Sequence, residues 1–257
     1  MNKTVSIVMA YYNRKPQLLN TLKSIRQYGH GAEVVIVDDA SNDGDDILCL
    51  EDDHTKVVTI KEKTWINPCI AFNTGFVNAT GDIIIVQNPE CIHVGDVVGH
   101  VLDNIRDGLY LNYSAYSINK GITERIIGGE DVNTAISPIE NRAVPINFEN
   151  GWYNHPVYRP HMLHFCSAIT RKDLWELGGF DERYFDGLAF DDNDFLHRLN
   201  MKKMKIQMIE SPFVVHQWHN VHFEGDVVGL MTKNGLRFEE TRKSKEYDMK
   251  PYNKIFK

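Results

Sequence analysis

Two short apolar runs, Val5–Ala10 and Val34–Val37, each end in a polar turn, with a helical pattern between them. No other feature of the chain constrains its fold as strongly. An unbroken run of branched apolar residues is expected of a strand covered on both faces, whereas a half-exposed strand alternates. Between the runs, Pro16 suits the first turn of a helix that Leu18, Leu19, Leu22 and Ile25 carry to about Tyr28, where Gly29 and Gly31 stop it. The unit then repeats. Val57–Ile60 predicts a third strand, Pro68 to about Ala79 a helix broken at Gly81, Ile83–Val86 a fourth strand, and Gly95–Arg106 an amphipathic helix. Strands and helices joined by short turns imply right-handed parallel crossovers, so the chain is expected to be α/β, with a mostly parallel central sheet flanked by helices. Ligands of such sheets lie at the carboxyl ends of the strands. Asp38-Asp39 and Asn88-Pro89-Glu90 follow the second and fourth runs and fall there.

Beyond residue 108 the pattern changes. Leu109–Ile118 alternates like a strand with unlike faces, and Gly121–Pro160 has no period, reading as a long binding loop, a lid or a disordered stretch. Trp152, Tyr153, His155 and Tyr158 in that stretch are either a sugar-stacking lid or loop anchors. Phe165–Thr170 predicts a strand, Lys172–Leu177 a short helix, and Asp191 to Asn200 another. Lys205–Ile209 and Phe213–Val215 predict two late strands. The charged tail from Phe223 reads as a surface helix or a loose end over Thr241–Lys257. One domain is expected over residues 1–222, with a nucleotide-binding half (1–108) and an acceptor-side half (109–222), followed by the tail at 223–257.

Composition narrows the function. The net charge of −7 without clustered Lys and Arg argues against a nucleic-acid partner. Cys49, Cys69, Cys91 and Cys166 form no CxxC pair, so neither a disulfide framework nor a zinc site is expected. No run approaches the roughly 18 apolar residues of a membrane span, and Val5–Ala10 is too short for a signal-peptide core; a soluble, cytoplasmic protein is expected. There is no Walker loop and no GxGxxG, which removes the simplest kinase and dehydrogenase readings.

Five segments in order resemble the signature of the family 2 glycosyltransferases. They are Ser6-Ile7-Val8-Met9-Ala10-Tyr11-Tyr12-Asn13-Arg14, Val35-Ile36-Val37-Asp38-Asp39 with its turn to Gly44, and Ala71-Phe72-Asn73-Thr74-Gly75. Ala79-Thr80-Gly81-Asp82 and Gly178-Gly179-Phe180-Asp181-Glu182 complete the set. The match runs from about Val5 to His219. The resemblance implies the GT-A fold, an inverting reaction, a uridine-diphosphate sugar donor, and Mn²⁺ or Mg²⁺.

The same resemblance assigns roles. Asp39 would accept the N3–H of uracil, with backbone at Ala10 and Tyr11 lining the pocket, while Asp38 serves the turn; the plainer alternative is that both aspartates cap it. Where the family carries Asp-x-Asp, this chain has Asn88-Pro89-Glu90. Asn88 suits ribose hydroxyls, and Glu90 offers a hard cation its oxygen one methylene further out. In Asp191-Asp192-Asn193-Asp194, Asp192 matches the family's general base and Asp191 orients the acceptor; a cluster drawn to a positive helix N-terminus is the alternative. In Val214–His222, His216, and after it His219, would complete the metal site. The expected function is therefore metal-dependent transfer from a UDP-hexose or UDP-N-acetylhexosamine to a glycan, glycoprotein or other hydroxyl acceptor. A non-catalytic binder of the same fold and a sugar nucleotidyltransferase are the alternatives.

Overall fold

A computed structural model describes residues 3–137, 150–220 and 225–256. The first half follows the expected order: β1 (Val5–Tyr11), α1 (Lys15–Arg26), β2 (Glu33–Asp39), β3 (Thr55–Ile60), α2 (Cys69–Asn78), β4 (Ile83–Gln87), β5 (Cys91–Val94) and α3 (Val97–Asn104). The second half contains β6 (Leu109–Ser117), α4 (Lys120–Ile127), α5 (Val132–Ile136), β7 (Gly151–Asn154), β8 (Cys166–Thr170), α6 (Arg171–Leu177), α7 (Asp191–Met201), β9 (Lys205–His216) and α8 (Val227–Thr241). The strands form one sheet in the order β3-β2-β1-β4-β8-β6-β9-β5. β3, β2, β1 and β4 run parallel; β8 then pairs antiparallel with β4 and with β6. β8 takes Leu111 and Asn112 of β6, and β7 takes Ala115–Ser117 on the same edge.

The strand order turns back at β1, which lies between β2 and β4 and so opens a crevice at their carboxyl ends. Both sheet faces are covered. Ile7, Met9, Val34 and Ile36 pack toward α1 and α3 with Leu18, Ile25 and Val101, while Val8, Val35, Ile84 and Val86 pack toward α2, α6 and α7. This double burial is why β1, β2 and β4 read as unbroken apolar runs. At Gly75, a Cβ would stand 2.3 Å from Val8 Cγ1, so α2 lies against the sheet only because that position is glycine.

The structure departs from the sequence reading in several places. β6 is buried along its whole length, not on alternate faces, because Asn112 and Ser114 spend their polar groups on hydrogen bonds inside the sheet. The stretch read as a long loop contains α4, α5 and β7; residues 138–149 of it lie outside the described residues, as do Val221 and His222. Trp152 is 4% exposed and packs edge-on to Tyr116 and tilted against His155, and Tyr153 stacks on Phe165, so both rings anchor the sheet edge. The two late strands are one, β9, with a register shift opposite Tyr113/Ala115 and a cis Ser211–Pro212 bond. β5 escaped the reading altogether, being four residues long and paired with a distant strand. The tail is neither surface helix nor loose end over its described residues, 241–256. α8 ends there, and Met249, Asn253 and Phe256 are buried. Among the described residues no helix is long and apolar enough to cross a membrane.

Two signature segments owe their residue types to packing. Asn73 on α2 is fully buried; its Oδ1 accepts from Phe180 N (2.8 Å), and its Nδ2 donates to Phe180 O (2.9 Å) and Glu182 Oε1 (3.1 Å). Gly178 and Gly179 both have φ of +72°, and a Cβ on Gly179 would sit 2.4 Å from Asn73 Oδ1. Asn253 of the tail closes the knot, donating to Gly178 O and Phe180 O and accepting from Glu182 N.

Candidate active site

The crevice beside β1 holds a cavity of about 340 Å³ lined by Ala10, Tyr11, Asp39, Asn88, Glu90 and His219, among others. A second cavity, of about 210 Å³, is lined by Asn88, His164, Asp191 and Asp192. The two share Ile66, Pro68, Phe72, Asn88 and Leu188 as walls, so they form one continuous cleft. Ala10, Tyr11, Asp39, Asn88, Glu90, Asp191, Asp192 and His219 line this cleft, and His216 stands against Glu90 directly behind it; Trp152, Tyr153, His155 and Tyr158 line neither cavity.

At one end lies Asp39, 4% exposed at the close of β2. Its Oδ2 accepts from Lys63 Nζ at 2.9 Å and its Oδ1 from Trp65 Nε1 at 2.8 Å. Each oxygen keeps a second lone pair for a further donor. Asp38 accepts from Ser41 N and holds the turn, as its sequence context implied. Tyr11 contributes to the wall, but its ring is fully buried in the core, where its hydroxyl accepts from Arg14 N and burial pushes its pKa up to about 12. Lys63, with its ammonium 4.1 Å from the Tyr12 ring centre, and Trp65 were missed from sequence. They lie in an aperiodic segment whose only signal was a tryptophan in a polar loop.

In the middle stands an acid–imidazole group. Antiparallel pairing of β5 with β9 sets Cys91 opposite His216, and Gln217 N donates to Glu90 O, so the sheet itself brings Glu90 and His216 together. Glu90 is 2% exposed. Its Oε1 lies 3.1 Å from His216 Nε2 and 3.6 Å from His219 Nε2, and its Oε2 accepts from Arg14 Nη1 at 2.8 Å. Burial opposes ionisation of Glu90, but Arg14 and the two histidines more than offset it and hold the carboxyl well below its usual range. His216 is set edge-on to Tyr153 and Phe165, and burial holds its pKa down.

These residues fit a hard divalent cation. One ligand atom from each of Glu90, His216 and His219 lies within 4.8 Å of the others. Adjacent corners of an octahedron with bonds near 2.1 Å are about 3 Å apart, close to the observed spacing of Glu90 Oε1 from the two nitrogens. His219 Nδ1 lies 2.9 Å from Asn220 O, so Nδ1 carries a proton and Nε2 is the nitrogen that faces Glu90. Arg14 Nη1, 3.3 Å from that Nε2, supplies the positive charge these groups face here.

At the far end, Asp191 and Asp192 open α7. Asp191 Oδ1 accepts from Asn67 Nδ2 at 2.8 Å, and Asp192 Oδ1 from His164 N at 2.8 Å. Burial raises both carboxyls to about 6; for Asp191 the neighbouring Asp192 charge adds to it. The two residues before the helix, Ala189 and Phe190, have φ of +57° and +67°, a left-handed turn that non-glycine residues adopt at a cost. α8 braces that turn. Asn234, fully buried, donates to Tyr184 O (3.1 Å) and Ala189 O (3.0 Å), and Leu188 N donates to Leu230 O. The next acid, Asp194, instead faces inward to Arg198 at 2.7 Å.

A curled, partly parallel sheet with helices on both faces and a cleft at its switch point defines the GT-A class of nucleotide-binding folds, and solved structures agree. GalNAc-T7 with UDP, GalNAc and Mn²⁺ superposes with a TM-score of 0.64 at 16% identity, over 93% of this chain and 48% of that one. The mannosyltransferase PcManGT from Pyrobaculum calidifontis, in complex with GDP-Man and Mn²⁺, gives 0.55 at 19% identity, over 84% and 57%. The family model for glycosyl transferase family 2 matches residues 6–178, and the chain belongs to that family. It is 32% identical over 138 residues to undecaprenyl-phosphate 4-deoxy-4-formamido-L-arabinose transferases of Pectobacterium atrosepticum and Pectobacterium carotovorum. The matched stretch spans 46% of the chain and 42% of those relatives.

Proposed function

We propose that the protein transfers a sugar from a nucleotide-sugar, a UDP-hexose or UDP-N-acetylhexosamine, to a hydroxyl acceptor with inversion, using Mn²⁺ or Mg²⁺. One observation carries the reading: a single cleft runs from a carboxylate suited to a base, past a carboxylate–imidazole group, to two carboxylates of raised pKa. Family membership and two metal-bound, nucleotide-bound neighbours of the same fold support it.

In this reading Asp39 accepts the N3–H of uracil, with Ala10 and Tyr11 at the same pocket wall. Asn88, at the junction of the two cavities, faces the ribose. Glu90, His216 and His219 hold the cation, which when bound neutralises charge developing on the diphosphate. Asp192 takes the proton of the attacking hydroxyl, and its pKa near 6 suits a base at neutral pH, ionised yet appreciably basic. Asp191 orients the acceptor. Phe72 and Leu188 line the junction.

The test is release of nucleoside diphosphate from a donor panel with Mn²⁺, including UDP-glucose, UDP-N-acetylglucosamine, UDP-N-acetylgalactosamine and GDP-mannose. UDP release that Asp192→Asn abolishes, with UDP affinity retained, is the expected result. Nucleotide binding with no release from any donor and any hydroxyl acceptor would identify a non-catalytic binder instead. Pyrophosphate release from a nucleoside triphosphate and a sugar phosphate would identify a nucleotidyltransferase.

A further inference from the structure

A buried line of polar side chains runs from β6 to the first turn of α7, and none of them has a role in the account above. We infer that His164, held by Tyr110 in the tautomer with its proton on Nε2, is a positioning residue that binds Asp192 Oδ1 and leaves Oδ2 to take the acceptor proton. The inference rests on Asp192 being the base.

His164 is 6% exposed and precedes β8. Its ring is wedged edge-on against Tyr110, Phe180 and Phe195, which fixes its plane. Its Nδ1 lies 2.7 Å from the Tyr110 hydroxyl. Asn112 Nδ2 donates to Ser167 Oγ at 3.1 Å, and Ser167 and Asn112 both present donors toward the phenolic oxygen. A phenol that accepts from Ser167 gives its proton to the imidazole. Nδ1 is then the acceptor, and the neutral ring carries its hydrogen on Nε2. That nitrogen is 3.3 Å from Asp192 Oδ1, short of good hydrogen-bond geometry in the free protein. Such bonds commonly tighten when substrate loads. The backbone N–H of the same residue already donates to the same oxygen. Two donors from one residue thus converge on Oδ1, and an oxygen so engaged is the weaker base of the two.

The groups that face the His164 ring are Tyr110 from β6 and Asp191, Asp192 and Arg198 from α7. Burial outweighs the pull of Asp191, Arg198 adds to it, and the ring's pKa falls to about 4. It is therefore a neutral donor throughout the working pH range. In the transfer, the acceptor oxygen bonds to the anomeric carbon and its proton passes to Asp192 Oδ2. The bond from that carbon to the diphosphate oxygen breaks, with its electron pair leaving on the nucleoside diphosphate. His164 keeps its Nε2 proton throughout.

The first test needs no substrate. In long-range ¹H–¹⁵N spectra of the ¹⁵N-histidine protein, assigned by loss of the signal in His164→Gln, His164 should be the Nε2–H tautomer between pH 6 and 8. An Nδ1–H tautomer would overturn the inference. The second is the pH profile of kcat for UDP release with acceptor, which reports the loaded complex in which the bond tightens. His164→Leu, which removes the ring donor but keeps the backbone one, should move the acid limb up by about 1–2 pH units, the scale of one lost hydrogen bond to the ionised carboxyl. His164→Gln, whose amide nitrogen reaches the place of Nε2, should restore it. Tyr110→Phe, the variant to use if His164→Leu does not fold, should mix the tautomers and move the limb in the same direction by less. An unmoved limb in these variants while Asp192→Asn is inactive refutes the positioning role alone. If Asp192→Asn keeps its turnover, the base assignment falls and the inference with it.

Discussion

Asn234→Ala tests whether α8 holds the catalytic end of the cleft. Ala189 and Phe190 both occupy the left-handed region, at about 1–2 kcal/mol each for residues with a Cβ, so the turn carries about 2–4 kcal/mol of strain. Against this, Asn234 gives two buried hydrogen bonds to carbonyls, each worth about 1 kcal/mol net and more if the carbonyl is left unpaired. Its loss therefore removes about 2–4 kcal/mol of restraint, as much as the strain it opposes. The turn should relax and release the first turn of α7. Amides of residues 188–194 should exchange with solvent roughly 30-fold faster or more, the equivalent of about 2 kcal/mol, and Tm should fall by roughly 5–10 °C. Turnover should drop about 10–100-fold with UDP affinity retained, because the donor contacts lie at the other end of the cleft. Gly187→Ala should reproduce this signature, since its Cβ would stand 2.4 Å from Asn234 Oδ1 and displace the amide. A variant that loses thermal stability yet keeps exchange protection at Asp191–Asp194 and full turnover would refute the reasoning.

Three further outcomes follow from the geometry. Asp192 has a folded pKa near 6 against about 3.9 in the unfolded chain, so its ionisation destabilises the fold as pH rises from 4 to 6 and the penalty persists above. Asp192→Asn should accordingly be about 1–2 kcal/mol more stable than the native chain at pH 8, with the difference vanishing below about pH 4 in urea titrations. A gain independent of pH would contradict it. His219→Ala should weaken Mn²⁺ binding at least tenfold by calorimetry while sparing the Arg14–Glu90 pair, whereas Glu90→Gln would also strand a partly buried Arg14. Unchanged Mn²⁺ affinity in His219→Ala removes it from the cation site. Asp39→Ala should weaken UDP by about 1.5–3 kcal/mol, the scale of a charge-assisted hydrogen bond, and calorimetry giving unaltered affinity would exclude the base contact.

The α/β class, the family and most of the cleft were legible in the sequence because they rest on local signals. β1, β2 and β4 are buried on both faces, so their burial is written as runs of Val and Ile, and the polar turns behind them mark the ligand end of the sheet. Asp39 and Glu90 could be placed at that end for the same reason, at or close behind the ends of β2 and β4, whereas Asp192, in the first turn of α7, is legible only through its resemblance to the family's motif. Tertiary structure alone decided the rest. β5 is too short to have a period and exists through its pairing with β9, and that pairing is what sets Glu90 beside His216. Arg14, Lys63, Trp65 and His164 reach the cleft from loops and element ends with no repeating pattern, and their partners stand 76, 24, 26 and 28 residues away in sequence. The tail illustrates the point most fully. Its charge predicts solvent, yet Asn234 and Asn253 are buried because the carbonyls of a strained turn and of two left-handed glycines require donors, and no local pattern records where such a need will arise.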